Sequence, residues 1–420
     1  MSPDPTAQLA VNGGTPVRTT PWKRRPQITP EEMAEFSATV LAAGEAGEFL
    51  WFHCTPEETY CREFGAYVGS PWVDLVSSGT TALWIALRAL ELEPFTEVVV
   101  SGITDPGGMM PIPLQNLIPM VADTEPASYN TGPEQIEACL TPLTRAIVVA
   151  HIQGEPADMV GIMKLARERG LPVIEDCSQA HGATLNGQMV GTFGDLGYFS
   201  TMAGKHHASA GQGALICCPS EDLYWRVRRA ADRGKLFHQP PGSTNSFASL
   251  NLNGSDHAAL WGSLMLRRLP GLLARRRELV ARITVATADL RTLAVKPPPP
   301  GAECSYWFLT FRFFPERATC SVDTLVEALS AEGFCNPLSG YRSAMPHLME
   351  WFQQRRVFGA SGYPWASPDY HGDRDRQFSC PNMLATEELL FRCTISEIWS
   401  DEDLADLIAI LRKVDAAFAK

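Results

Sequence analysis

A chain of 420 residues with 45% hydrophobic and 20% charged side chains has the balance of an ordinary globular protein, and at about 100–200 residues per domain it is expected to form two or three domains. Its formal net charge of −12 argues against a nucleic-acid partner, because proteins that bind the phosphate backbone usually present a basic patch. The eleven cysteines show no Cys-x-x-Cys pair or zinc-type ladder, Met1 to Val17 lacks the order of a secretory signal, and no apolar run reaches the roughly 18 residues of a membrane helix, so the expectation is a cytoplasmic protein with no metal and no membrane.

In chain order, residues 1–27 are rich in Pro, Gly and Thr and read as an irregular arm. Ser77-Ser78-Gly79-Thr80-Thr81 precedes Ala82 to Leu90, where Leu83, Leu87 and Leu90 fall at helical spacing. The hydroxyls and N–H groups of that helix start suit a phosphate, and Gly79 permits close backbone approach; a plain Ser/Thr cap explains the same residues equally well. Glu97 to Ser101, Leu117 to Ala122 and Ala146 to Ala150 read as strands, Asp158 to Arg169 as a helix closed by Gly170, and Leu171 to Glu175 as the next strand. This rhythm indicates right-handed βαβ units in a mostly parallel sheet, whose ligands bind beyond the carboxyl ends of the strands.

His257 to Leu290 follows as a helical pattern that Pro270 is expected to break or kink, and the basic run Arg275-Arg276-Arg277 reads as its solvated face. After Pro297 to Pro300 come a strand over Tyr306 to Phe313, a helix over Asp323 to Glu332 and a last helix over Asp401 to Phe418, the content of a smaller α+β domain. The expected division is an arm at 1–27, a large domain at 28–270, and a linking helix with the small domain at 271–420.

The chemistry concentrates after Pro172. Val173-Ile174-Glu175-Asp176 puts a carboxylate at a strand end, Phe199-Ser200 follows, and Gly204-Lys205 adds an amine among small residues. Pyridoxal phosphate needs an anion facing its pyridine nitrogen, a lysine for a Schiff base and donors for its phosphate. Spacing alone is weak support, since strand-end Asp and Lys residues are common.

Ser78-Gly79-Thr80-Thr81-Ala82-Leu83, Ile174-Glu175-Asp176-Cys177-Ser178-Gln179-Ala180-His181-Gly182-Ala183 and Phe199-Ser200 to Gly204-Lys205, taken in this order, resemble the DegT/DnrJ/EryC1/StrS family of sugar and cyclitol aminotransferases. The likeness runs from about Leu9 to the C-terminus. Val11-Asn12-Gly13-Gly14-Thr15-Pro16-Val17-Arg18 with Pro21-Trp22 is similar to the branch of scyllo-inosose aminotransferases and aminohydroxybenzoate synthase. The resemblance implies an α/β protein of the pyridoxal-phosphate type I fold, like aspartate aminotransferase. It also implies transfer of an amino group from L-glutamine or L-glutamate to a keto-sugar or keto-cyclitol. Lys205 would carry the cofactor as a Schiff base and move protons, Asp176 would face the pyridine nitrogen, and Gln179 the phenolic oxygen. Gly79, Thr80 and Ser200 would contact the phosphate, and Asn251 would reach the phosphate of a neighbouring subunit in a homodimer with shared sites.

Several positions depart from the family pattern. Asp105 stands where relatives place an aromatic over the pyridine ring, within Thr104-Asp105-Pro106-Gly107-Gly108, and a carboxylate offers no equivalent stacking surface. His206 and His207 follow the lysine; either could serve as acid or base near neutral pH, and packing explains His207 better. Asn253 replaces a common arginine. His151 is a pocket candidate or a hydrogen-bonded structural residue, and Trp51, Phe52 and His53 are weaker pocket candidates. Two alternatives follow: a related enzyme that epimerises, eliminates from or oxidises an aminosugar, or an inactive homologue acting as a dimeric partner.

Overall fold

The structure is a computed structural model that describes residues 5–23, 28–47, 52–209 and 211–420. Its large sheet is built from β1 (Trp72–Val76), β2 (Glu97–Ser101), β3 (Ile118–Ala122), β4 (Thr144–Ala150) and β5 (Val173–Asp176), then, beyond the small hairpin of β6 (Thr184–Leu185) and β7 (Gln188–Met189), from β8 (Leu196–Ser200) and β9 (Ala214–Cys218). The order is β1-β9-β8-β5-β4-β2-β3. All neighbours run parallel except at β9, which is antiparallel to both β1 and β8.

The strands are nearly continuous apolar runs because helices cover both faces. Val98, Val99, Val100, Ile147, Val148 and Ile174 are all buried in one core with Leu83, Ala86 and Leu87 of the Gly79–Ala89 helix. Parallel register then aligns the strand ends: Ala150 pairs with Asp176, and Asp176 with Tyr198. Everything that leaves these ends converges on one edge.

The helix expected over Asp158 to Arg169 spans Met159–Arg169, with the Asp158 side chain accepting from the Gly161 N–H and Gly170 left-handed at its end. Pro270 does not break the long helix, which runs unbroken from Asp256 to Ala286. A proline inside a helix costs about 3 kcal/mol, and the packing on either side of it offsets that. Leu266, Leu269 and Leu273 bury against the Tyr60–Phe64 side of the large sheet, while Leu279, Val280 and Ile283 bury in the second core. The basic run is not a solvated face either: Arg276 is buried and donates from Nε and Nη2 to one oxygen of Glu397, and Arg277 donates to the Cys304 and Gly182 carbonyls. A basic triplet on a helix wedged between two sheets finds acceptors on both.

The second sheet contains β10 (Leu293–Val295), β12 (Phe308–Phe313), β13 (Leu338–Ser339) and β14 (Leu390–Thr394) in the order β10-β12-β14-β13, all antiparallel, while β11 (Ala302–Glu303) joins the β6–β7 hairpin. The Val322–Ala331 and Asp401–Phe418 helices cover it, and Phe311 stacks on Phe391 at 5.0 Å in its core. Tyr341, Met345, Phe352, Trp365, Tyr370 and Met383 leave this sheet and pack instead with the core of β2 to β4. No helix among the described residues is long and apolar enough to cross a membrane.

Candidate active site

The helix that follows β1 begins with a capping box. Ser78 Oγ accepts from the Thr81 N–H at 3.2 Å, and Thr81 Oγ1 accepts from the Ser78 N–H at 2.9 Å. The N–H groups of Gly79 and Thr80 have no partner among the described residues and lie at a cavity of about 190 Å³. A helix start with open N–H groups favours an anion. Ser78, Thr80, Ser178 and Ser200 add hydroxyls around the same end of the cavity. The approach is close enough to require glycine at 79, because a methyl group there would come within 2.8 Å of Ser200 Cβ and 3.2 Å of its hydroxyl.

Two adjacent acids at the end of β5 divide by the alternation of a strand. Glu175 is fully buried and accepts from the N–H groups of Gly191, Phe193 and Gly194 at 2.7–2.8 Å, and from His151 Nε2 at 3.1 Å. Its oxygens are committed to holding the loop before β8. Asp176 lies on the cavity, with one oxygen accepting from the Ser178 N–H at 2.9 Å. Tyr198 lines the wall beside it, and burial followed by the Asp176 charge pushes its phenol well above the usual range, so it stays a neutral hydroxyl.

Lys205 reaches the cavity from the turn after β8, where Gly204 adopts φ 95° and the Lys205 N–H bonds the Met202 carbonyl at 3.0 Å. Its Nζ lies 4.8 Å from the centre of the Trp307 ring. Gln179 also lines the cavity, its Oε1 accepting from the Gln153 N–H at 2.9 Å. Lys205, Asp176, Gln179, Ser200, Gly79, Thr80, Asp105 and His151 therefore share one cavity.

The remaining candidates sort by their partners. His151 is buried on the cavity wall; its Nδ1 accepts from the Ala157 N–H at 3.1 Å, which leaves the proton on Nε2 for Glu175. With both nitrogens used, it presents a ring wall and no spare acid or base. Asp105 is exposed to the cavity and caps the turn over Pro106–Gly108 by accepting from the Gly107 N–H at 2.9 Å. Methyl groups at Gly107 and Gly108 would strike the Thr80 and Thr104 hydroxyls at 2.3 Å, so the backbone itself occupies the space beside the helix start and Asp176.

His206 is buried but does not line the cavity; its Nε2 lies 3.0 Å from the Ser305 carbonyl, and its ring packs between His181 and Trp307. His207 bonds the Tyr60 hydroxyl at 2.8 Å and the Gly262 carbonyl at 3.1 Å, and burial lowers it to about 4, a packing residue as expected. Asn251 is exposed and does not line the cavity; it is bridged to Asp232 and hydrogen-bonded to Asn253. His53 pairs with Glu57 away from the cavity, Phe52 is exposed, and Trp51 lies outside the described residues.

Trp307, Gln153, Tyr198, Ser178 and Gln212 were not anticipated at the site. Trp307 arrives from the second sheet, which no local pattern reveals; for Tyr198 the alternation of β8 was the available signal. Among the described residues two groups have the proximity of metal ligands, but Glu175 of one is saturated by backbone donors, and the other, His53, Glu57 and Asp74, holds the Arg228 guanidinium 3.0 Å from Asp74.

The cavity fits pyridoxal phosphate on its own terms: open N–H groups and hydroxyls at one end, a carboxylate facing it, an amine from the side, and a glycine cradle that a methyl group would fill. The model of the DegT/DnrJ/EryC1/StrS aminotransferase family matches residues 31–359. The L-glutamine:2-deoxy-scyllo-inosose aminotransferase of Streptomyces fradiae is 35% identical over 420 residues, covering 97% of each chain. An enzyme of the same name from Streptoalloteichus tenebrarius is 30% identical over 425 residues, again covering 97% of each. Among solved structures, the aminotransferase TlmJ from Streptoalloteichus hindustanus superposes with a TM-score of 0.78 at 26% identity, covering 95% of this chain and 99% of that one. The protein belongs to the DegT/DnrJ/EryC1/StrS aminotransferase family and is a transferase of the type I fold that uses pyridoxal phosphate.

Proposed function

We propose that this aminotransferase moves an amino group from L-glutamine or L-glutamate to a keto-sugar or keto-cyclitol in the biosynthesis of an aminosugar or aminocyclitol. The observation that carries the proposal is the meeting of Lys205, Asp176 and Gln179 with the open helix start at Gly79 in a single cavity. The relatives' cyclitol substrates narrow the acceptor class.

Bound there, pyridoxal phosphate supplies an electron sink and a carrier for nitrogen between donor and acceptor. The chain's own residues do the rest. The Gly79 and Thr80 N–H groups with the Ser200 hydroxyl hold the phosphate. Asp176 keeps a proton on the pyridine nitrogen, and Gln179 offers its amide to the phenolic oxygen. Lys205 anchors the cofactor, takes the proton from the donor's α-carbon, and delivers a proton on the acceptor side. His151 contributes shape only, because both of its nitrogens are occupied.

A homodimer with Asn251 of one subunit reaching toward the site of the other, in the cytoplasm, completes the proposal. Its support is the outward exposure of Asn251 together with Leu236, Leu250 and Phe52, apolar residues left at 44–51% exposure. A cavity with its lysine, acid and amide all in place argues against an inactive partner subunit. An epimerase, lyase or oxidase reading draws on Asp105, His206 and His207, but the Asp105 carboxylate accepts from the Gly107 N–H and neither histidine lines the cavity.

The test is a visible spectrum of the loaded enzyme mixed with L-glutamine, then with a keto-cyclitol, followed by product mass. Loss of the band with the donor, its return with the acceptor and a ¹⁵N label carried from donor to product are expected. Deuterium gained at carbon without nitrogen transfer would overturn amino transfer in favour of epimerisation.

A further inference from the structure

One residue that no motif singled out makes contact with both arms of the cofactor site. Gln153 follows β4 in a buried turn, with a left-handed backbone at φ 64°, a conformation that costs any side-chain-bearing residue roughly 1–2 kcal/mol. Its N–H donates to Gln179 Oε1 at 2.9 Å. Its carbonyl accepts from the Trp307 N–H at 2.8 Å, and the next carbonyl, of Gly154, accepts from the Ser305 N–H at 2.9 Å. Its side-chain Oε1 accepts from the Thr310 hydroxyl on β12.

We infer that Gln153 is a positioning residue whose left-handed turn aims the Gln179 amide into the cavity and holds the Trp307 ring against Lys205. The first half follows from hydrogen-bond roles. With Oε1 occupied by a backbone N–H, Gln179 turns its NH₂ group toward the cavity, so it acts there as a donor. A donor matches an anionic phenolic oxygen, whereas the flipped amide would set two acceptors face to face. The second half follows from the chain path. The segment Ser305 to Trp307 is stitched to the Gln153–Gly154 carbonyls, and the ring that approaches Lys205 Nζ to 4.8 Å hangs from that segment. The Thr310 bond ties the turn to the second sheet and helps hold a backbone conformation that glutamine would otherwise leave. Gln153 touches neither cofactor nor substrate in this scheme; it acts through Gln179 and Trp307.

The inference rests on the pyridoxal-phosphate reading, and the experiment separates the two. Gln153→Ala and Gln153→Gly both delete the bond to Thr310, but only glycine adopts the left-handed turn without strain. The measurements are the cofactor dissociation constant, by titrating apoprotein with pyridoxal phosphate, and the pH midpoint of the visible band of the bound cofactor. Gln153→Ala is expected to bind the cofactor about 5- to 30-fold more weakly than Gln153→Gly and to show a displaced midpoint, with Gln153→Gly close to the parent. In a Gln179→Ala background the difference in midpoint between the two is expected to shrink, since the amide being aimed is gone and only the Trp307 arm remains. Equal behaviour of the two variants, the packing order with alanine better than glycine, or a midpoint difference undiminished in Gln179→Ala would overturn the inference while leaving the cofactor reading intact. A parent protein that develops no visible band with pyridoxal phosphate would overturn both.

Discussion

Substituting Gly79 by alanine tests the phosphate cradle with one methyl group. Glycine at a helix start adopts ordinary helical angles here, so propensity alone would make alanine the better residue by about 0.5–1 kcal/mol. Space reverses the sign. The added carbon would lie 2.8 Å from Ser200 Cβ, with the Ser178 hydroxyl at 3.6 Å. Ser200 cannot step back, because it ends β8, pairs with Ala214 and is itself buried. Overpacking of this kind costs about 1–3 kcal/mol, so the apoprotein should lose about 0.5–2 kcal/mol, a shift of a few degrees in melting temperature. The larger effect falls on the cofactor. Pushing Ser200 away from the helix start removes or misaligns a donor to a charged phosphate, worth about 1.5–3 kcal/mol, or about 10- to 150-fold in dissociation constant. Titration of Gly79→Ala apoprotein with pyridoxal phosphate reads this directly. Gly271→Ala is the control: that glycine lies in the long helix with nothing within 4 Å of an added methyl, so the change should be neutral or stabilising. Parental cofactor affinity in Gly79→Ala, or an equal loss in Gly271→Ala, would refute the cradle.

Three further outcomes follow from other parts of the site. Lys205→Ala should lose the visible band and the mass label left by borohydride reduction, with activity down about 10²- to 10⁴-fold; a label that persists elsewhere in the chain would reassign the anchor. Glu175→Gln should destabilise the protein by about 2–4 kcal/mol in urea denaturation, because an amide NH₂ would face the backbone donors now held by a carboxylate; unchanged stability would show that those bonds contribute little. Burial holds His207 at about 4, below its unfolded value of 6.5, so the unfolded chain binds the extra proton and stability is lost as pH falls from 6.5 toward 4. His207→Gln should reduce that acid-side loss by up to about 3 kcal/mol when unfolding is compared with the parent at each pH; parallel pH curves would contradict it.

Local sequence carried the large sheet well. Apolar β-branched runs such as Glu97 to Ser101 and capped helices such as Met159–Arg169 are specified by neighbours in the chain, and each formed near its expected place. The placement of three candidate residues was legible for the same reason. Asp176 stands at a strand end, Gly79 at a helix start and Lys205 on a turn, and each position is set by the element that bears it. What could not be read was anything that depends on a partner distant in the chain. Pro270 is tolerated because two separate cores grip the helix on either side of it, and Arg276 is buried because Glu397 comes to meet it. Strand alternation sends Glu175 and Asp176 to opposite faces, but nothing local says which face holds the cavity; the backbone donors of the loop before β8 mark Glu175 as structural and leave Asp176 on the cavity. His151 and His207 likewise lose any acid–base role to partners at Ala157, Glu175, Tyr60 and Gly262. The sequence by itself determined which side chains each strand and turn delivers to the sheet's edge. Tertiary structure alone decided which of them keep a usable proton or lone pair there, because burial and long-range hydrogen bonds settle that question and neither is encoded in local spacing.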